Sequence, residues 1–179
     1  SLAITTNCRM CHIVGITPDA NTVEEAFMGH EIQGEETLYD EDIARAYEEL
    51  CEEKEGSVDL VSLGCPHYDI HQIQEVAEYI KGKKVHEGTR FMVWTVYPVK
   101  AMADLNGYTQ IIQEAGGSIQ TSTCPVTIGE CFLKHYPGQV YDSLKQSGSV
   151  RSDGSAERVY YTDKFRCIDA AISGCWKEE

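Results

Sequence analysis

The sequence lacks the long apolar run that a membrane-spanning helix needs. No stretch of about 18 apolar residues occurs in its 179 residues. The first residues, SLAITTNCRMCH, have neither a basic start nor an apolar segment of the length typical of a signal peptide. We therefore expect a cytoplasmic protein with no membrane partner.

Positive charge is also scarce. The chain has 15 Lys and Arg against 29 Asp and Glu, which gives a formal net charge of -14. Such a surface repels the phosphate backbone of nucleic acid, so we expect no nucleic-acid partner. An anionic substrate would be repelled as well, and a site for one would need local donors, helix N-termini or a metal ion.

Internal repeats and coiled-coil patterns are absent, and the length does not require a second core. We therefore predict one α/β domain over residues 1–179. The chain has no initiator Met and opens within what resembles an element already under way. We expect it to be a fragment of a longer polypeptide.

Cysteine, by contrast, is abundant. Because the chain is long enough to fold without stabilising cross-links, we expect its cysteines to be reduced thiols or metal ligands and to form no disulfides. The eight cysteines are scattered over the chain at positions 8, 11, 51, 65, 124, 131, 167 and 175.

Cys8 and Cys11 with His12 have the C-x-x-C-H spacing of c-type haem attachment. Haem attachment requires export, for which we expect no signal. A zinc site would need a second C-x-x-C or an H-x-x-x-H pair, and neither accompanies them. We interpret Cys8 and Cys11 as incidental.

Short apolar, β-branched or aromatic runs between turn residues predict four strands. Segments with one apolar stripe at helical spacing lie before, between and after them. The strands are predicted at 58–63, 91–96, 118–122 and 158–162, and the helices at about 41–52, 70–80, 105–115 and 164–173. Because strand and helix alternate, we predict a mainly parallel sheet of four or five strands flanked by helices, which makes a three-layer domain.

The remaining segments carry weaker signals. Thr22 with Glu25 three residues later forms a capping box that predicts a helix over about 23–30. A further strand is predicted at Ile13 to Ile16. The polar segment 31–40 is predicted as loop, and the Ser- and Gly-rich stretch 145–157 as a surface excursion.

Three cysteines follow three of the predicted strands: Cys65, Cys124 and Cys167. In a parallel sheet the residues just past the strands meet at one edge, where binding sites form. One interpretation is that these thiols hold iron, in an iron-sulfur cluster or a smaller centre, with one coordination position open for substrate. The other is that they are small buried residues near helix starts, since free cysteine is often buried.

A third interpretation treats Cys65 or Cys124 as a nucleophile. A thiol at a helix N-terminus has a lowered pKa, and His67 is near enough in sequence to Cys65 to act as its base. This would give a cysteine-dependent hydrolase or transferase and would leave the other thiols without a role. The residues alone leave these interpretations open.

Several segments together resemble the aconitase X family. The run VDLVSLGCPH ends in the Gly-Cys-Pro-His motif of that family. Three other segments are similar to that family, and all of them stand in the family's order along the chain. They are HIVGITPDANTVEEAF at 12–27, before this run, and TSTCP at 121–125 and RCIDAA at 166–171 with Gly174 and Trp176, after it. The resemblance covers most of the chain, and its specificity comes from the combination of motifs.

The resemblance implies an iron-dependent hydro-lyase acting on a small hydroxy acid such as phosphomevalonate or cis-3-hydroxyproline. It also implies a small swivelling subunit or domain as partner; without it, and without the preceding part of the large subunit, we expect the chain to be inactive. The alternative is a scaffold subunit that has lost activity.

The resemblance further implies roles for individual residues. Iron would be held by Cys65, Cys124 and Cys167. The catalytic residues would be His67 and Lys134, and the substrate-binding residues would be Pro66, Thr123 and Thr17. The segment 130–138 loosely resembles the family's Lys-containing K-x-x-H-Y stretch, which implies a carboxylate-binding role for Lys134.

Overall fold

In the computed structural model, which describes residues 8, 10–50 and 55–177, the chain forms two compact units. The first unit ends at Arg45 and the second begins at Ala46. Within the described residues no helix has the length and apolar character needed to cross a lipid bilayer.

The first unit contains a turn, a short helix and a loop. Ile13 to Ile16 form a turn, because the amides of Ile16 and Thr17 both donate to the Ile13 carbonyl, so the predicted strand here is wrong. Helix α1 spans Val23–Phe27, and Thr22 caps it by accepting from the Glu25 amide. The predicted capping box is only half formed, because the Glu25 carboxylate accepts from the Asn21 amide instead of the Thr22 amide. The helix ends before residue 30 because Met28 adopts a left-handed conformation.

After a loop over 31–39, helix α2 spans Asp40–Leu50 and contains the boundary between the units. It confirms most of the helix predicted at 41–52. The end of that prediction, 51–52, lies outside the described residues.

Five parallel strands form the sheet of the second unit, in the order β4-β3-β2-β5-β6. A separate antiparallel pair joins β1 and β7. The strands are β1 Glu55–Ser57, β2 Leu60–Tyr68, β3 Arg90–Thr95, β4 Gly117–Thr121, β5 Gly138–Tyr141, β6 Arg158–Tyr161 and β7 Cys175–Lys177. The sheet confirms the predicted α/β fold and adds β5, for which no segment had been predicted.

Seven helices connect or follow these strands in the described part of the second unit. They are α3 Ile70–Ile80, α4 Tyr97–Leu105, α5 Tyr108–Glu114, α6 Pro125–Ile128, α7 Glu130–Leu133, α8 Leu144–Asp153 and α9 Lys164–Ser173. The helix predicted at 105–115 is confirmed as α5 except at its start: Leu105 ends α4, which had not been predicted, and Gly107, with a positive φ of 78°, separates the two helices.

Helix α8 contradicts the surface excursion predicted at 145–157. Ser143 caps this helix by accepting from the Gln146 amide, and Gln146, Ser147 and Val150 are buried. Serine and glycine have low helix propensity, so the helix is stabilised by packing that the local sequence does not reveal.

Side chains on the two faces of the sheet form two apolar clusters. Val61, Leu63 and Val93 belong to the cluster that includes buried residues of α3, α5 and α9. The neighbouring Leu60, Met92 and Trp94 belong to the cluster that includes Leu133 and Val150. This alternation follows from the two-residue period of a strand and gives the predicted three layers.

The order of the strands reverses at β2. The chain runs from β2 to β3 and β4 on one side, then returns to place β5 and β6 on the other. In such a sheet a crevice opens between the carboxyl ends of the two strands at the reversal, here β2 and β5. The residues after Ser62 and Tyr141, which are paired in register, therefore form its walls.

Candidate functional site

The carboxyl end of β2 bends sharply at Gly64. Its φ is +104°, and a Cβ atom placed there would lie 2.3 Å from the Trp94 carbonyl oxygen. Only glycine fits, because both the conformation and the close approach exclude a side chain. The bend is followed by a cis peptide bond between Cys65 and Pro66.

The segment Cys65–His67 beyond this bend is accessible to solvent. Cys65 is half-buried, and Pro66 and His67 are exposed. Tyr68, which follows, is 4% exposed and its carbonyl oxygen accepts from the Thr95 hydroxyl at 2.5 Å. Three predicted site residues are thus presented at the edge of the crevice.

Asp142 follows β5 and contacts the residues on both sides of this segment. Its Oδ1 accepts from the Gly64 amide at 3.2 Å, and its Oδ2 accepts from the Tyr68 hydroxyl. Burial raises the pKa of Asp142 above its usual value, although both hydrogen bonds act in the opposite direction. Burial and the nearby Asp142 carboxylate raise the pKa of Tyr68 far above its ordinary value, so its hydroxyl stays protonated.

His67, near the end of β2, contacts the loop after β4. Its Nε2 lies 3.0 Å from the Thr123 carbonyl oxygen. The next residue, Cys124, caps α6, and its Sγ lies 3.4 Å from the Thr127 amide nitrogen and 3.1 Å from the Thr127 hydroxyl. Of the predicted site residues, the structure therefore brings His67 and Thr123 into direct contact.

Cys167 lies in α9 and is fully buried. Its thiol is 3.8 Å from the Thr162 carbonyl oxygen, to which it donates. Burial, with Asp142 and Asp163 nearby, raises the pKa of the thiol well above its usual value. This cysteine is therefore a protonated core residue in the conformation described.

The three cysteines fit an iron site in chemistry and in position, but not in spacing. Thiols are ligands for iron; Cys65 lies in β2 just past the bend at Gly64, and Cys124 and Cys167 follow the carboxyl ends of β4 and β6. Over residues 8, 10–50 and 55–177, however, no three His, Cys, Asp or Glu side chains are close enough together to hold a metal ion. The thiols would have to move towards one another to bind one iron centre.

The other two predicted site residues are Lys134 and Thr17. Lys134 is exposed and follows α7, between Leu133 and Tyr136, whose carbonyls both accept from the Gln139 amide group. Gln139 lies near the amino end of β5, so this segment lies at the opposite end of that strand from Asp142. Thr17 is in the first unit, where its hydroxyl accepts from the Ile13 amide at 2.8 Å.

Asp142 was not among the predicted site residues. It follows the four-residue strand Gly-Gln-Val-Tyr, which is too short and too polar at its start to stand out as a strand. Recognising β5 would have found Asp142, because it is the first residue past the strand. The relevant signal was the pair Val140 and Tyr141, both of which favour strands.

Comparisons with known proteins identify the family of this α/β domain. The family model for the aconitase X third domain matches residues 58–173. This range includes the crevice, the Cys65–His67 segment and all three candidate cysteines. The chain belongs to the aconitase X family.

Two curated relatives and one solved structure illustrate the relation. The cis-3-hydroxy-L-proline dehydratase of Hypocrea jecorina is 28% identical over 166 residues, which cover 92% of this chain and 28% of that protein. The phosphomevalonate dehydratase large subunit of Methanocaldococcus jannaschii is 41% identical over 86 residues, covering 48% of this chain and 21% of that protein.

The crystal structure of Thermococcus kodakaraensis aconitase X in its holo-form has a TM-score of 0.62 and 27% sequence identity. The alignment covers 78% of this chain and 36% of that one. The chain thus matches only about a fifth to a third of the length of these relatives.

Proposed function

We propose that this chain is part of a hydro-lyase that removes water from a small hydroxy acid. The observation that carries the proposal is the match to the aconitase X third domain over residues 58–173. The similar proteins named above are dehydratases of cis-3-hydroxy-L-proline and of phosphomevalonate. Either compound is a candidate substrate for the complete enzyme.

We further propose that Cys65, Cys124 and Cys167 hold an iron centre. Their positions at or past the carboxyl ends of three parallel strands support this, since those strand ends share one edge of the sheet. Binding requires that Cys167 loses its proton and its contact with the Thr162 carbonyl. When bound, iron would supply a Lewis acid and a local positive charge in an acidic protein.

His67, Pro66 and Thr123 are proposed to contact substrate beside this centre. Their support is geometric: His67 and Thr123 are in contact, and Pro66 and His67 are exposed at the crevice edge. The roles proposed for Lys134 and Thr17 rest on the resemblance alone. A role for Lys134 at this site would require a rearrangement of the segment after α7.

A small swivelling subunit or domain is the proposed partner. Several relatives, including that of Methanocaldococcus jannaschii, are named as large subunits, which supports a small subunit that acts with them. We also propose that residues 1–179 form part of a longer large subunit. A cytoplasmic location is proposed because the seven described cysteines are all free thiols.

The iron proposal is tested by anaerobic reconstitution of this chain with iron and sulfide, followed by measurement of both elements and of visible absorption. Cys65→Ala, Cys124→Ala and Cys167→Ala should each lose most of the bound iron. Cys131→Ala is the matched control, because Cys131 is an exposed thiol in α7. It should keep the iron content of the unmodified chain.

A folded chain that binds no iron would sink the iron proposal and favour the scaffold or thiol alternatives. Iron lost equally in all four variants would indicate non-specific binding. The activity itself is measured in the complete enzyme with its small subunit, by following loss of cis-3-hydroxy-L-proline and of phosphomevalonate.

A further inference from the structure

One carboxylate bridges the two residues that border the Cys65–His67 segment. Asp142 accepts from the Gly64 amide with one oxygen and from the Tyr68 hydroxyl with the other. Both hydrogen bonds join the end of β5 to β2 beyond Ser62 and Tyr141, the last pair of residues at which these two strands are in register. We call Gly64, Tyr68 and Asp142 the clamp.

The neighbouring contacts restrict the clamp from the other side. The Thr95 hydroxyl, on β3, donates to the Tyr68 carbonyl. Gly64 lies against the Trp94 carbonyl so closely that a Cβ atom would not fit. The two ends of the segment are therefore fixed between β3 and Asp142, while Pro66 and His67 are exposed and Cys65 is half-buried.

A second aspartate bridges the same two strands at the opposite end. Asp59, just before β2, accepts from the Gly138 amide of β5 at 2.7 Å. Asp59 and Asp142 are both half-buried and each accepts from a backbone amide of the other strand. Of the two, only Asp142 also accepts from the side chain of Tyr68, the residue that follows the Cys65–His67 segment.

We propose that Asp142 is a positioning residue that holds the Cys65–His67 segment in place through its bonds to Gly64 and Tyr68. This inference deepens the proposed function, on which its relevance to catalysis rests. The effect on the segment itself does not depend on iron or on substrate. Asp59 joins the strands in a similar manner but lies at the other edge, so it should have no such effect.

Local opening of the segment is measured by the alkylation rate of Cys65. The metal-free chain is treated with iodoacetamide, and labelling of Cys65 and of Cys131 is followed by mass spectrometry. The ratio of the two rates corrects for reagent and for global changes, because Cys131 is an exposed thiol in α7, which contains no residue of the clamp.

Asp142→Ala removes both acceptors and should raise the Cys65 to Cys131 ratio about 5- to 30-fold, the factor expected when hydrogen bonds worth one or two kcal/mol are lost. Asp142→Asn keeps an acceptor for Gly64 and an amide that the Tyr68 hydroxyl can accept from, so its ratio should remain near that of the unmodified chain. Tyr68→Phe should give an intermediate increase.

Asp59→Ala is the matched control for general destabilisation. It should lower the melting temperature and leave the Cys65 to Cys131 ratio unchanged. An equal rise of the ratio in Asp59→Ala and Asp142→Ala would overturn the inference, as would an unchanged ratio in a folded Asp142→Ala.

If Asp142→Ala does not fold, Tyr68→Phe decides the matter, since it keeps the ring and removes only the hydroxyl. An unchanged ratio in that variant would refute the clamp. Because the assay contains no iron, a result that refutes the clamp does not bear on the dehydratase proposal. In the same way, a chain that binds no iron does not refute the clamp.

Discussion

Gly64 is constrained both by its positive φ and by the close approach of the backbone at Trp94. We predict that Gly64→Ala lowers the free energy of unfolding by more than about 2 kcal/mol, because a Cβ would meet the Trp94 carbonyl at a positive φ. The measurement is the midpoint of urea unfolding.

Gly148→Ala is the matched control for that substitution. No atom lies within 4 Å of the position that its Cβ would occupy, and it lies in α8. Alanine should stabilise this helix by about 0.5–1 kcal/mol. Equal effects of the two substitutions would show that Gly64 is not sterically restricted.

Asp142 should make stability depend on pH. Because its pKa is raised in the folded protein, the contribution of this carboxyl is fully present below its unfolded pKa, near 3.8, and is lost as pH rises through the folded value. Asp142→Asn removes this titration. The unmodified chain should therefore lose stability relative to Asp142→Asn as pH rises above about 4, measured by urea unfolding at several pH values.

A stability difference between these two proteins that is constant with pH would contradict the raised pKa. A difference that changes in the opposite direction would indicate that hydrogen bonds from Gly64 and Tyr68 outweigh burial. Asp59→Asn serves as the comparison, because it removes another half-buried carboxylate that accepts from a backbone amide.

Single residues of the site were predictable only where a motif marks them. The position of the thiols at Cys65 and Cys124 follows from strands that are clear in the sequence. Asp142, in contrast, follows a strand that the sequence does not reveal. Its contacts depend on the pairing of β2 with β5. That pairing joins residues far apart in the chain, so no local pattern contains it.

Helix α3 begins with a complete capping box. Asp69 accepts from the Gln72 amide at 2.9 Å, and the Gln72 side chain accepts from the Asp69 amide at 3.0 Å. We predict that Asp69→Ala lowers the free energy of unfolding by about 0.5–2 kcal/mol. Chemical denaturation measures the effect, with His71→Ala as control.

His71 is exposed on the same helix and makes no part of the cap. Its replacement by alanine should change stability by less than about 0.5 kcal/mol. If both variants behave alike, the capping box contributes nothing measurable.

Elements with strong local signals were predicted closely, and those held by packing were not. Helix α9 matches its predicted range because Asp163 caps its start and Gly174 ends it in a left-handed conformation. Helix α8 lacks an apolar stripe and is rich in Ser and Gly. Its formation depends on burial against β5 and β6, which the local sequence does not contain.

The second unit contains both apolar clusters of the sheet. Their buried members all lie between Val58 and Trp176. We predict that a chain beginning at Ala46 folds cooperatively and melts within about 5 °C of the full chain. Circular dichroism and calorimetry measure this, and loss of a cooperative transition would show that the sheet depends on the first unit.

The overall architecture was predictable because strands and helices alternate along the chain. This alternation gives the parallel sheet and the edge at which Cys65, Cys124 and Cys167 were expected. The order of the strands was not predictable from periodicity, since it depends on which face each connection crosses. The crevice between β2 and β5 became visible only with that order.

The central position of β2 also affects how the chain can be made. One of its neighbours, β3, follows directly, whereas the other, β5, is separated from it by β3, β4 and five helices. During synthesis β2, β3 and β4 emerge first, and one edge of β2 then offers unpaired amides and carbonyls until β5 arrives. A ribosome that pauses in this interval would leave this strand edge open to pairing with other nascent chains. Translation without a pause before β5 should therefore reduce aggregation.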